Sequence, residues 1–127
     1  MTFSKIIEHL YVGDQWDAEH LRLYDPFREE LIVDVRPLYW GDPHGYILDP
    51  KKLQPASKMV AKFVDEGYDS FVHCAMGLER SPFFAALVLK HLHPGRSLDR
   101  CYTDVCYARP QAYYYPEWVE ILGGKSQ

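Results

Sequence analysis

The chain has 127 residues, 47% of them hydrophobic, and a formal net charge of -4. That length is expected to make a single domain over residues 1–127, able to bury a core without disulfide or metal staples. The acidic balance argues against a general nucleic-acid binder, and no basic run, membrane-length apolar stretch or signal peptide is seen, so a soluble, cytoplasmic protein is expected.

In chain order, the first element is an alternating stretch over residues 6–14, read as a strand at 9–13 followed by a turn at Gly13. Residues 31–35 (Leu-Ile-Val-Asp-Val) predict a second strand, followed by an irregular stretch over 36–55. Leu53, Val60, Phe63 and Val64 then recur at helical spacing, and Gly67 ends that helix. Residues 70–74 (Ser-Phe-Val-His-Cys) read as a short buried strand ending in Cys74. Residues 83–92 are too long for a strand and predict a largely buried helix, with Pro82 in its first turn and Gly95 beyond its end. A further helix is expected over 98–107.

Most of the chemistry lies in the run from His73 to Ser81. An arginine follows Cys74 after five intervening residues, with Gly77 between them. The backbone N–H groups of Ala75, Met76, Gly77, Leu78 and Glu79 can curl into a nest for phosphate oxygens, and Gly77 permits the positive φ that the curl needs. Arg80 adds a planar fork that matches two oxygens at once. The loop opens onto a helix N-terminus, whose field favours both an oxyanion and the nucleophilic thiolate form of Cys74. Ser81 also suits the cap of that helix. Glu79 is an acid in an anion loop and is expected to point outward, paired with a base on a neighbouring segment.

The pattern His-Cys-x-x-Gly-x-x-Arg-Ser resembles the loop of the cysteine-dependent protein tyrosine phosphatases, in particular the small dual-specificity group. Leu10-Tyr11-Val12-Gly13 is similar to that family's opening strand, and Arg109-Pro110 with residues 116–122 to its closing turn and last helix. The resemblance implies a three-layer α/β fold: a central, mostly parallel sheet of four to five strands, with helices on both faces. It implies phosphomonoester hydrolysis through a cysteinyl-phosphate, without metal or other cofactor, on a phosphorylated protein or peptide. Neither a long nucleic acid nor a membrane is an expected partner.

The same resemblance supplies roles. Trp40-Gly41-Asp42-Pro43-His44-Gly45 is similar to the family's acid loop, with Asp42, 32 residues before Cys74, as general acid and then base. Asp49 in Leu48-Asp49-Pro50 is the competitor for that role, and an Asp beside Pro is also ordinary turn chemistry. Ser81 is expected to donate a hydrogen bond to the Cys74 sulfur, and His73 to bond backbone beside it. Arg109 is a candidate for placing Arg80 or the acid loop, whereas Asp34 and Arg36 are read as structural. Glu117 stands where the family often carries a polar water-positioning residue. The loop has no lysine, unlike relatives that cleave inositol-lipid phosphates, and the chain lacks length for a deep pocket. Tyr39, Trp40 and Tyr113 to Tyr115 are either walls of a shallow cleft or half-buried surface residues.

Rival readings share the anion loop. Asp34-Val35-Arg36 faintly resembles a segment of rhodanese-like sulfurtransferases, which sulfur transfer to cyanide would reveal. A nucleotide or RNA 5′-phosphatase would use the same chemistry. A binding module that holds phosphotyrosine without cleaving it usually lacks the cysteine or the arginine, and this chain keeps both. Cys101 and Cys106 have a spacing that suits neither a zinc pair nor an easy disulfide, and they are read as packing residues.

Overall fold

The computed structural model describes residues 3–24, 31–40 and 47–123. Strands β1 (Ser4–Ile7) and β2 (Leu10–Gly13) precede helix α1 (Gln15–Tyr24) and strand β3 (Ile32–Asp34). A 3-10 turn (Arg36–Leu38), β4 (Tyr39–Trp40) and β5 (Ile47–Leu48) lead into α2 (Pro50–Asp65) and β6 (Ser70–His73). Helices α3 (Arg80–Leu92), α4 (Leu98–Ala108) and α5 (Pro116–Gly123) complete the described chain. The main sheet has the order β1-β2-β6-β3; β1 runs antiparallel to β2, and the β2–β6 and β6–β3 pairs are parallel. β4 and β5 form a separate antiparallel pair.

This is the expected α/β architecture, because strand alternation gives the sheet two apolar faces. On one face Phe71 and Ile32 pack with Ala18 and Leu21 of α1, supported by Phe3 and Tyr11. On the other, Leu10, Val12 and Val72 join side chains of α2, α3, α4 and α5 in the larger core. Every residue of β6 is buried, as a central parallel strand covered on both sides must be. From Ser81 to Leu89, α3 is also buried throughout, so it carries no polar face and runs beneath the sheet between α2 and α4. None of the described helices is long and apolar enough to cross a membrane.

Two boundaries differ from the sequence reading. The first strand is a hairpin: Glu8 and His9 form its turn, and His9 adopts φ 74°, so β1 folds back with Ser4 opposite Val12. Local alternation continues across such a turn, so pattern alone merges the two strands. The stretch read as irregular up to Pro55 already contains the first turns of α2. Asp49 caps that helix, its Oδ1 accepting from the Lys51 N–H at 3.0 Å, and Pro50 occupies the first turn. Pro55 sits inside the helix at an exposed position, where its missing N–H is least costly.

Candidate active site

Parallel pairing brings the C-terminal ends of β2, β3 and β6 to one edge of the sheet, and the loop after β6 opens there. Cys74 follows the last residue of β6, and Arg80 begins α3. Between them the backbone reverses with Gly77 at φ 71°. The loop carbonyls are taken by groups outside the loop. Gln15 N–H donates to Ala75 O at 3.0 Å and Tyr113 N–H to Leu78 O at 2.8 Å. Arg109 Nε donates to Gly77 O at 2.7 Å. Carbonyls drawn outward turn the amides between them inward, which is the geometry of an anion nest.

The sulfur sits at the bottom of this loop, with Cys74 only 2% exposed. Its Sγ lies 3.2 Å from Ser81 Oγ and accepts from the Ser81 backbone N–H at 3.4 Å. A serine hydroxyl and one amide from the first turn of a buried helix therefore converge on one sulfur, and both stabilise negative charge there. The His73 side chain is buried, with Nδ1 at 3.2 Å from Cys74 O. Burial holds its imidazole below the ordinary pKa, so this ring is neutral near pH 7. The Arg80 backbone is fixed in turn, because the buried Tyr39 donates its hydroxyl to Arg80 O at 2.9 Å. Burial pushes the Tyr39 phenol well above its usual pKa, so it keeps that proton.

Among the described residues, Arg109 is one of the largest fully buried side chains. Besides Gly77 O, its guanidinium donates to Ser4 Oγ at 3.0 Å and Val12 O at 3.4 Å, tying β1, β2 and the loop together. These partners lie in the loop and the hairpin. Gly77 is packed against the end of β2: a Cβ there would meet Gly13 O at 2.6 Å and Arg109 Nη2 at 2.7 Å. Gly77→Ala is expected to destabilise the fold by about 2–4 kcal/mol, from positive-φ strain plus overpacking. Urea unfolding would measure it, and a loss under roughly 0.5 kcal/mol would contradict this packing.

The other predicted residues are distributed as follows. Asp42 lies outside the described residues, as do all the other positions of its expected loop after Trp40. Asp49 is engaged as the cap of α2. Asp34 and Arg36 form a forked ion pair with contacts of 2.7–3.1 Å, and Arg36 also donates to Gln15 Oε1 at 2.8 Å, joining β3 to α1. Burial raises the Asp34 carboxyl, but the Arg36 hydrogen bonds outweigh it and hold the group below its usual pKa. Met76 is exposed, while Ala75, Leu78 and Glu79 are half-buried. Glu79 meets the hydroxyl of Tyr115, where a base was expected. Tyr39 is a core residue, so it is not a cleft wall; Tyr113 and Tyr114 are exposed and Tyr115 is half-buried. Glu117 is exposed in the first turn of α5. Cys101 is buried and Cys106 half-buried, both free and raised in pKa by burial, as inert packing thiols are. Among the described residues no group of three or more His, Cys, Asp or Glu is placed to hold a metal ion.

Three features of the site escaped the sequence reading. Gly13 receives Gly77, Gln15 accepts Arg36 while its amide holds Ala75, and Tyr115 reaches Glu79. Only Gly13 carried a signal, in Leu-Tyr-x-Gly; the others depend on segments that meet through the fold.

No protein-family model matches the chain, and no curated protein matches it in sequence. Solved structures do. PTPMT1 in complex with PI(5)P superposes with a TM-score of 0.74 at 16% identity, covering 97% of this chain and 93% of that one. The PTP-2 phosphatase of Cydia pomonella gives 0.71 at 17% identity, over 98% and 91%. Human DUSP28 gives 0.65 at 20% identity, over 97% and 93%. Coverage of this extent includes the sheet, the helices on both its faces and the loop between β6 and α3. The chain therefore has the fold that these phosphatase structures share.

Proposed function

We propose that this protein is a cysteine-dependent phosphomonoester hydrolase acting on phosphorylated protein or peptide. The observation that carries this reading is the Cys74 sulfur, held by Ser81 Oγ and Ser81 N–H at the bottom of a loop whose carbonyls are drawn outward. Cys74 Sγ attacks phosphorus and forms an S–P bond as the P–O bond to the leaving group breaks. Asp42 gives its proton to that oxygen. Water then attacks the cysteinyl-phosphate, its proton passes to Asp42, and the thiolate departs toward the Ser81 hydroxyl and amide. Arg80 and the amides of residues 75–79 hold the three equatorial oxygens, whose charge they are preorganised to meet.

Asp49 is spent on the cap of α2, which supports Asp42 as the proton donor. Asp42→Asn is expected to lower the rate by roughly 10²–10⁴-fold, most for poor leaving groups. It should also remove the basic limb of the pH profile, because the first step needs the acid protonated and is lost as pH rises. If Asp49→Asn has that effect and Asp42→Asn does not, the acid loop has been misplaced.

One similar structure holds PI(5)P, yet the present loop carries no lysine, which favours a protein phosphomonoester over an inositol lipid. A reduced, cytoplasmic setting fits three free cysteines. The deciding experiment is hydrolysis of p-nitrophenyl phosphate in EDTA and reductant from pH 4 to 8. Chelator-insensitive turnover supports this reading. No turnover, with sulfur transferred from thiosulfate to cyanide, would replace it.

A further inference from the structure

Glu79 occupies the N-cap position of α3, yet its side chain makes no capping hydrogen bond. An N-cap side chain accepts from the backbone N–H of the second or third helical residue. Here those residues are Ser81 and Pro82, and proline has no N–H. The single amide available is that of Ser81, which donates to Cys74 Sγ. A carboxylate capping this helix would take the sulfur's donor and set a negative charge beside the thiolate and any bound phosphate.

The carboxylate is instead held by Tyr115, whose hydroxyl donates to Glu79 Oε2. That phenol is fixed on three sides. Its ring lies on Trp118 at 4.5 Å between centroids and meets Tyr113 edge-on at 6.4 Å. Its backbone N–H donates to Tyr102 Oη at 3.2 Å, and Tyr102 in turn donates to Tyr113 O at 3.0 Å. Trp118 also packs on Tyr39, the residue that holds the Arg80 carbonyl. One aromatic group thus grips both residues at the junction of loop and helix. Burial, then the Glu79 hydrogen bond, raises the Tyr115 phenol, so it remains a donor at all working pH values.

We propose that Tyr115 is a positioning residue that holds the Glu79 carboxylate away from the one amide serving the Cys74 sulfur. Its consequence for catalysis rests on the phosphatase reading; its consequence for the sulfur does not. The test compares the full chain as wild type, Tyr115→Phe, Glu79→Gln and the double variant. Phenylalanine keeps the ring contacts, and melting curves report whether each variant folds. Two quantities are read: alkylation of Cys74 by iodoacetamide at pH 6, resolved from Cys101 and Cys106 by peptide mass spectrometry, and p-nitrophenyl phosphate turnover with inorganic phosphate as inhibitor.

Tyr115→Phe is expected to slow Cys74 alkylation and weaken phosphate inhibition by roughly threefold to tenfold, the range of an N-cap contact. In the Glu79→Gln background the same change should have no effect. Wild-type rates in Tyr115→Phe, or an equal loss in both backgrounds, would overturn the proposal. If the alkylation pattern appears but no variant turns over substrate, the positioning role stands and the phosphatase reading fails.

Discussion

Cys74→Ser is expected to lower p-nitrophenyl phosphate hydrolysis by at least roughly 10⁴-fold, while vanadate or tungstate still binds. The two results separate because the site divides its labour. In the proposed mechanism binding draws on Arg80 and the inward amides, whose outward carbonyls are tied to Gln15, Arg109 and Tyr113; none of this needs the sulfur. Chemistry needs an anionic nucleophile, and the groups around Sγ are those that help a thiolate: one hydroxyl at 3.2 Å and one helix amide at 3.4 Å. A serine hydroxyl in their place is far too weak an acid for these two donors to ionise it. Calorimetric titration with the oxyanion beside the kinetic assay gives both numbers. Residual turnover within a hundredfold of wild type would remove Cys74 as the nucleophile, and loss of oxyanion binding would mean that the variant had disturbed the loop.

Arg80→Lys should cost roughly 10²–10³-fold in kcat and weaken phosphate inhibition as well. Lysine keeps the charge and loses the planar fork that meets two equatorial oxygens together. The fold gives this residue little room to adapt. Its carbonyl is fixed by Tyr39, and the next residue donates its amide to the sulfur, so a lysine stem would start from the same backbone. The substitution is expected to leave the melting temperature nearly unchanged, because Arg80 is half-buried at the loop mouth, outside the apolar core. A variant with wild-type kcat would show that charge alone suffices and that the fork has no part in the transition state.

Where segments are short and strongly patterned, the sequence reading and the structure agree. β6 and α3 were legible because a short buried strand and a helix that is apolar from Pro82 to Leu89 have few other places to go. The loop between them was legible because an anion nest needs local ingredients: a glycine at positive φ, an arginine at a set spacing and a helix start. The hairpin turn at His9 was not, since a non-glycine residue at positive φ leaves no mark in the alternation around it. Nor was the start of α2, where the stretch read as irregular up to Pro55 already holds Asp49 as the cap and Pro50 in the first turn.

Thus the sequence alone located Cys74, Arg80 and the kind of loop that joins them, since each depends on neighbours within nine residues. Only the tertiary structure decided what holds that loop. Arg109 and Tyr115 lie 32 and 36 residues from Gly77 and Glu79, the loop partners they bond. Nothing in local propensity connects them. They meet because α4 packs along α3 and returns the chain to the C-terminal edge of the sheet, where a buried guanidinium and a phenol complete what the loop cannot satisfy by itself.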